Sequence, residues 1–439
     1  MRYICDTQDS GYGNAARGYM QAFRALGIGG DVLRIVPVMA PTAIPAPLQP
    51  SDPESHGPFT RTVASSHNPV TGQMPGGTGA AMMGTIYESD DPLNPYISGN
   101  WPGDDQINIV HLNPGMAHNY FTPLGGRYNI LVTAWETDRL TQRSYKLGNA
   151  ERTMVADIND YDEVWVPTSH VQRVLLSSGV EKPIFVIPHV LRSEIAAMPA
   201  KKTYGIGKDR PVGFYSIGPW NARKNHLDLV RAYYATGWTI ADKVRLQLFS
   251  LPVVRDEHAL EAHEFIAREA VRNLREANPR GKLELPALNL LGAPRRFAPH
   301  IRQSHGQNHV FITASRGEGF CLPALDAVAL GNHVVGGFPA LEDLAQHAPG
   351  LVTILKSNQV PITPMPEVAG YEIDHEWWET PIKLLTQEMK ALKDWVQDSD
   401  LSMKDDILAV RRAYSPKAIG KLIRERLLHA ADVVSSSGW

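Results

Sequence analysis

"HVFITASRGEGFCLPALDAVALGNHVVGG", His309 to Gly337, runs from a short apolar segment through a glycine-bearing loop into helix-period sequence and out into a second apolar segment. His309 to Ser315 reads as a strand. The spacing predicts a helix from about Pro323 to Leu330, because proline fits the first turn, where its missing N–H costs nothing, and Gly331 can close the last. "HVVGG" then starts another strand. Strand, loop, helix and strand in that order mark a parallel sheet covered by helices on both faces.

The same plan recurs in both halves of the chain. In "MRYICDTQDSGYGNAARGYMQAFRALG", Tyr3 to Cys5 reads as strand, Gly11 and Gly13 as turn, and a helix follows from about Asn14, closed by Gly27. In mid-chain, "PVGFYSIG" (Pro211 to Gly218) is a strand and "PWNARKN" a loop. "HLDLVRAYYATG" is then a helix with Leu227, Val230 and Tyr234 on one stripe. "DEVWVPTSHVQRVLLSSGVEKPIFVIPHVL" (Asp162 to Leu191) gives strand, helix and strand, after which periodicity is lost, and the hinge is expected at 192–210. The segment from about Pro37 to Gly103 is rich in Pro, Gly, Ser and Asn and shows little period, as a lid or an acceptor-facing insertion would. The expected class is α/β, with two doubly wound domains.

The totals agree with that size. At 439 residues the chain exceeds one ordinary core, since a domain takes about 150. Its 43% hydrophobic and 20% charged residues are those of a globular protein, and no run reaches the roughly 18 apolar residues of a membrane span. "MRYICDTQDSGYG" lacks the basic-then-apolar pattern of a secretion signal, so the cytoplasm is expected. A net charge of −3 gives no general attraction to nucleic acid or anionic membrane, and the basic stretch Leu290 to His309 reads as a solvated face. Cys5 and Cys321 lie far apart without Cys-x-x-Cys spacing and read as small buried residues.

If a helix begins at Pro323, the N–H groups of Gly319, Phe320, Cys321 and Leu322 gather at its positive end and form a seat for a phosphate. Glu318 stands just before that helix and Asp326 just inside it. Carboxylates repel phosphate but accept hydrogen bonds from neutral hydroxyls, each worth on the order of 1.5–3 kcal/mol. A phosphate flanked by diols describes a nucleotide-sugar. Arg223 and Lys224, between a strand end and a helix start, supply a fork and a point charge suited to a diphosphate. Each group also has a plainer reading: a loop acid, a helix-dipole partner worth under about 1 kcal/mol, solvated cations, or, for Gly11 and Gly13, a tight turn without ligand.

These residues carry a family resemblance. "SRGEGFCLPALDAVALGNHVV" resembles the Glu-x7-Glu signature of family 4 retaining glycosyltransferases of the GT-B fold, with Asp326 in place of the second glutamate. "SIGPWNARKNHLDLVRAY" is similar to that family's glycine-containing loop with its Arg-Lys pair, Asp162 to Leu191 to its interdomain stretch, and "SGYGNAARGYMQAFRALG" to its N-terminal glycine loop. The resemblance implies two Rossmann-like domains facing a central cleft. The N-terminal acceptor domain would be 1–195 and the C-terminal donor domain 196–412. Residues 413–439 would return to the first domain, as "SPKAIGKLIRERLLHAA" resembles the family's last helix.

By the same resemblance, Glu318 would contact the transferred sugar, Asp326 the ribose hydroxyls, and Arg223 with Lys224 the diphosphate. The amides of Gly319, Phe320, Cys321 and Leu322, with Gly11 and Gly13, would complete the donor site. The family often carries a histidine near the acceptor, and "INIVHLNPGMAHNYF" offers His111, at a strand end, and His118. "NILVTAWETDRL" resembles an acceptor-domain stretch, where Trp135 and Glu136 would shape the pocket. Core or loop packing remains the alternative for each of these four.

Cleaving an anomeric C–O bond leaves charge on the departing diphosphate, so cations fixed beside it favour the transition state. The implied transfer is retaining and needs no metal or other cofactor; its donor is a nucleoside-diphosphate sugar and its acceptor is open. Nucleic acid is not indicated, although a modified nucleobase stands beside small sugar and glycan as a candidate acceptor. "DSD" at Asp398 to Asp400 has the Asp-x-Asp form used by a different glycosyltransferase fold, but it lies in a polar connection. A catalytically silent nucleotide-sugar-binding protein is the competing reading. A dinucleotide oxidoreductase fails because "GYGNAARG" lacks the Gly-x-Gly-x-x-Gly spacing.

Overall fold

The computed structural model describes residues 1–6, 11–29, 33–38, 106–115, 127–147, 150–201, 204–250, 272, 286–292, 298–362, 371 and 375–436. The Pro37–Gly103 segment lies outside these residues except for Pro37 and Val38, which finish a strand, and so does His118.

Two six-stranded parallel sheets carry the chain. The first is built from β1 (Arg2–Asp6), β2 (Arg34–Val38), β3 (Ile107–His111), β4 (Tyr128–Val132), β7 (Glu163–Val166) and β8 (Ile184–Val186), in the order β2-β1-β3-β4-β7-β8. A small hairpin of β5 (Tyr145–Leu147) and β6 (Ala150–Arg152) interrupts the sequence between β4 and β7. The second sheet takes β9 (Val212–Ile217), β10 (Val244–Ser250), β11 (Ala287–Gly292), β12 (Val310–Ile312), β13 (His333–Gly336) and β14 (Val352–Ile354), in the order β11-β10-β9-β12-β13-β14. Strands such as β3, β7 and β9 are buried along their whole length, which is why they read as near-continuous apolar runs. In each sheet the order reverses once, between β1 and β3 and between β9 and β12. Such reversals open a crevice at the carboxyl ends of the strands, where ligands of α/β proteins sit.

Helices cover both sheets: α1 (Gly11–Ala25), α2 (Met154–Asn159) and α3 (Ser169–Ser177) follow strands of the first sheet. The single turn α4 (Ser193–Ala196) falls inside the stretch 192–210, which the sequence showed without period. Around the second sheet lie α5 (His226–Ala235), α6 (Ala298–Gln307), α7 (Leu322–Ala329), α8 (Glu342–His347), α9 (Ile382–Asp398) and α10 (Lys404–Ala413). Of the expected stripe on α5, Val230 and Tyr234 are buried and Leu227 is only half-buried; Leu229 and Tyr233 are buried as well, and α9 packs against this helix. The last helix, α11 (Pro416–Ser436), lays Ile419, Ile423, Leu427 and Ala430 into the core of the first half against Tyr19, Ala22 and Phe23. It is fastened there by an ion pair from Arg426 to the buried Glu163, with the guanidinium 3.7 Å from the Phe185 ring centroid.

Candidate functional site

The loops that leave β9 and β12 meet at the reversal point of the second sheet. Gly218 ends the first strand, and a Cβ there would press on Lys224 Cδ and Cε at 3.1 Å, so glycine leaves the lysine stem its channel. Asn225 then takes the left-handed conformation (φ 49°) to turn into α5, and its amide reaches Asp228 Oδ2 at 2.9 Å. Across the gap, Ser315 to Gly319 run from β12 into α7, which Cys321 opens, also left-handed (φ 70°). Among the described residues three non-glycines have positive φ, and two of them start the helices at this point.

Glu318 is the centre of the meeting. It is 7% exposed. One carboxylate oxygen takes the Lys224 ammonium and the Ser315 hydroxyl, the latter at 2.6 Å, and the other lies 3.1 Å from Arg223 Nη1. Burial alone would raise its pKa, but the two cations and the hydrogen bonds outweigh that and bring it from 4.5 to about 2. Arg223 also donates to Gly317 O at 2.6 Å, and Glu318 with Glu136 offsets its burial and holds it protonated. The N–H groups of Gly319, Phe320, Cys321 and Leu322 find no acceptor among the described residues and stand at the start of α7. Burial pushes the Cys321 thiol up to about 12, and Cys5 and Cys321 are both buried with no disulfide between them.

The first half closes directly over this loop. A Cβ at Gly317 would collide with the Glu136 carbonyl, and one at Gly319 would lie 2.7 Å from Ala134 Cβ. The Thr168 hydroxyl donates to Gly319 O at 2.9 Å, and Tyr371 donates to Glu136 Oε2 at 2.7 Å. Glu136 therefore stands between Tyr371 and Arg223. Trp135 does not line a pocket: it is fully enclosed, its N–H satisfied by Thr137 Oγ1 (2.7 Å) and Arg139 O (2.6 Å), and it belongs to the hydrophobic core. The expected role of Trp135 is corrected to packing.

Two further expectations change. The first helix begins at Gly11, so Gly11 and Gly13 form its first turn rather than a preceding loop, and neither uses positive φ. Tyr12 between them makes the contact instead, its hydroxyl donating to Ala134 O at 3.1 Å. Asp326 does not share the Glu318 site. It is 1% exposed, faces α4 and α6, pairs with Arg192 at the start of α4, and lies 3.9 Å from His305 Nε2. Burial outweighs Arg192 and raises its pKa above 3.8.

His111 ends β3 at the reversal point of the first sheet, buried and bonded through Nδ1 to the Tyr3 hydroxyl. His189, just past β8, lies 6.1 Å from it and 4.9 Å from Phe320, ring centroid to centroid, and so links the two halves. Ser315, Tyr12 and His189 were not singled out from sequence. The signal for Ser315 and His189 was position, a polar side chain just beyond the carboxyl end of a parallel strand, and for Tyr12 it was the first turn of the helix that follows β1.

No protein-family model matches the chain, and no curated protein does. Among solved structures, sucrose-phosphate synthase from Thermosynechococcus elongatus is similar over 98% of this chain and 99% of its own, at 16% identity and a TM-score of 0.56. The fold is GT-B. Other GT-B structures align less fully. A mutant TarM of S. aureus, solved with fondaparinux, alpha-GlcNAc-glycerol and UDP, matches 74% of this chain and 55% of its own, at 13% identity and a TM-score of 0.47. An alpha,alpha-trehalose-phosphate synthase (UDP-forming) from Burkholderia xenovorans matches 74% and 73%, at 12% identity and 0.48. The chain spans about half the length of TarM. Among the described residues of this GT-B chain, no three His, Cys, Asp or Glu side chains gather as metal ligands, and no helix is long and apolar enough to cross a membrane.

Proposed function

We propose that the chain is a retaining glycosyltransferase that moves a sugar from a nucleoside-diphosphate sugar to an acceptor hydroxyl. The observation that carries this reading is the convergence of Arg223, Lys224, Glu318 and the amides of Gly319 to Leu322, which find no acceptor among the described residues, on one strand-order reversal. Glu318 balances both cations. A bound diphosphate takes over that balance, with its oxygens on Arg223, Lys224 and the amides, and leaves the ionised Glu318 to accept hydrogen bonds from the hydroxyls of the transferred sugar. The anomeric C–O bond breaks, its electron pair goes to the departing phosphate, and the two cations offset the new charge. The acceptor oxygen attacks from the same face and gives its proton to that phosphate. No step calls for a protein base or a metal, and the reaction is assigned to the cytoplasm.

Thermal shift against UDP-, GDP-, ADP- and TDP-sugars tests the donor site; a ligand at 100 times its Kd adds about 2.7 kcal/mol. Release of nucleoside diphosphate with small-sugar, glycan and modified-nucleobase acceptors tests transfer. Lys224→Ala is expected to remove most transfer while the protein stays folded, and an unchanged rate would refute the assignment. The second reading, a silent nucleotide-sugar-binding protein, draws on Asp326 being covered by Arg192. Stabilisation by a donor with no diphosphate released would select it.

A further inference from the structure

His111 is ringed by Tyr3, Tyr12, Tyr19 and His189, with ring centroids 5.9, 5.8, 5.3 and 6.1 Å away. Three of these carry a hydroxyl, and two of the hydroxyls are already committed. The Tyr19 hydroxyl donates to Ile187 O at 2.6 Å and that of Tyr12 to Ala134 O at 3.1 Å. Tyr3 is wholly buried, and its hydroxyl meets one partner among the described residues, His111 Nδ1 at 2.5 Å. Among the described residues the phenolic hydrogen therefore has a single acceptor. Were the imidazole proton on Nδ1, it would point at the phenol oxygen and leave the buried phenolic hydrogen without an acceptor among the described residues.

A neutral imidazole carries one N–H. With Nδ1 accepting from Tyr3, that hydrogen is on Nε2. We propose that Tyr3 is a positioning residue that holds His111 as the Nε2–H tautomer, so that the imidazole donates a hydrogen bond to a sugar oxygen and does not take the acceptor's proton. The sugar is supplied by the proposed transferase reading; the tautomer stands without it. Burial, with a smaller contribution from His189, holds His111 well below the usual 6.5, and burial takes His189 down to about 3, so both rings stay neutral. Tyr3, Tyr12 and Tyr19 are kept un-ionised by the same burial.

The test is a long-range proton–nitrogen correlation spectrum of the full chain with nitrogen-15 histidine, in which the two neutral tautomers give different patterns. The His111 signals are those lost in His111→Gln. The wild type is expected to show the Nε2–H pattern through the neutral pH range. Tyr3→Phe keeps the ring that packs on Phe23 and His111 and should shift the signal towards Nδ1–H. With turnover established, that variant should lower kcat about tenfold, the scale of one lost hydrogen bond, while the KM for donor stays put. An Nδ1–H pattern in the wild type, or an unchanged tautomer in Tyr3→Phe, overturns the proposal. Should Tyr3→Phe fail to fold, the wild-type spectrum decides alone. If no nucleotide-sugar is turned over, the transferase reading falls while the spectrum still settles what Tyr3 does.

Discussion

Glu318 meets the Lys224 ammonium, the Arg223 guanidinium and the Ser315 hydroxyl, and its carboxyl falls to about 2. Asp326, eight positions on in the same loop and helix, meets Arg192 and a His305 nitrogen 3.9 Å away, and its carboxyl is raised. Both are buried, so burial does not separate them. Place in the βα unit does. Glu318 stands at the carboxyl edge of the sheet, where the loop after β9 delivers cations to meet it. Asp326 lies over a turn inside α7, on the face towards α4 and α6, where desolvation outweighs its one cation. An acid kept fully ionised beside two cations is ready for a ligand, whereas one enclosed under Arg192 fastens the start of α4 to α7.

The largest effect expected from this contrast is in turnover. Glu318→Gln should cut transfer by about 10²–10³-fold, the scale of a lost transition-state contact. Donor affinity should hold or rise, because Arg223 and Lys224 lose their internal counter-charge. Initial rates of diphosphate release with calorimetry of donor binding check both. A near-wild-type rate would erase the distinction drawn for Glu318. Gly317→Ala sharpens it from the opposite side: the added methyl meets the Glu136 carbonyl and pushes the loop back, leaving the Glu318 chemistry intact but displaced. A misplacement of about 1 Å costs on the order of 10²-fold in rate, so kcat should drop that far while the cations still bind donor.

The quoted stretch made the parallel βαβ plan readable because each apolar run and glycine cap obeyed local rules; β9, β12 and α7 follow from their own residues. The meeting of Glu318, Arg223 and Lys224 was legible for the same reason, since each stands in a loop that leaves the carboxyl end of a strand, where an open α/β sheet brings such loops together. The rest depended on long-range geometry. No pattern near Asp326 reveals Arg192, 134 residues earlier, closing over it. Trp135 reads alike as a pocket wall or a core residue until Thr137 and Arg139 are seen to satisfy its N–H. Gly11 and Gly13 misled because glycine serves a turn and a close-packed helix start equally well.

A smaller effect is expected at Asp326. Asp326→Asn should leave diphosphate release within a few-fold of wild type and leave the stability read from urea unfolding at neutral pH unchanged or slightly higher, because burial outweighs Arg192 and disfavours the charged form of this acid. Turnover lost as severely as in Glu318→Gln would return Asp326 to the donor site.

The subtlest test is the sign of the pH dependence. Glu318 has a folded pKa depressed from 4.5 to about 2, so its contribution to stability is complete above 4.5 and fades as pH falls towards 2, because the unfolded chain takes up the proton first. Asp326 has a folded pKa raised above 3.8, so its contribution is complete below 3.8 and fades as pH rises through the folded value. Urea unfolding between about pH 7 and about pH 4 should therefore show the stability gap between wild type and Glu318→Gln narrowing on acidification. The gap between wild type and Asp326→Asn should move the other way. Two gaps that shift in the same direction would mean that the acids share one electrostatic environment, and the contrast between loop and helix interior would not hold.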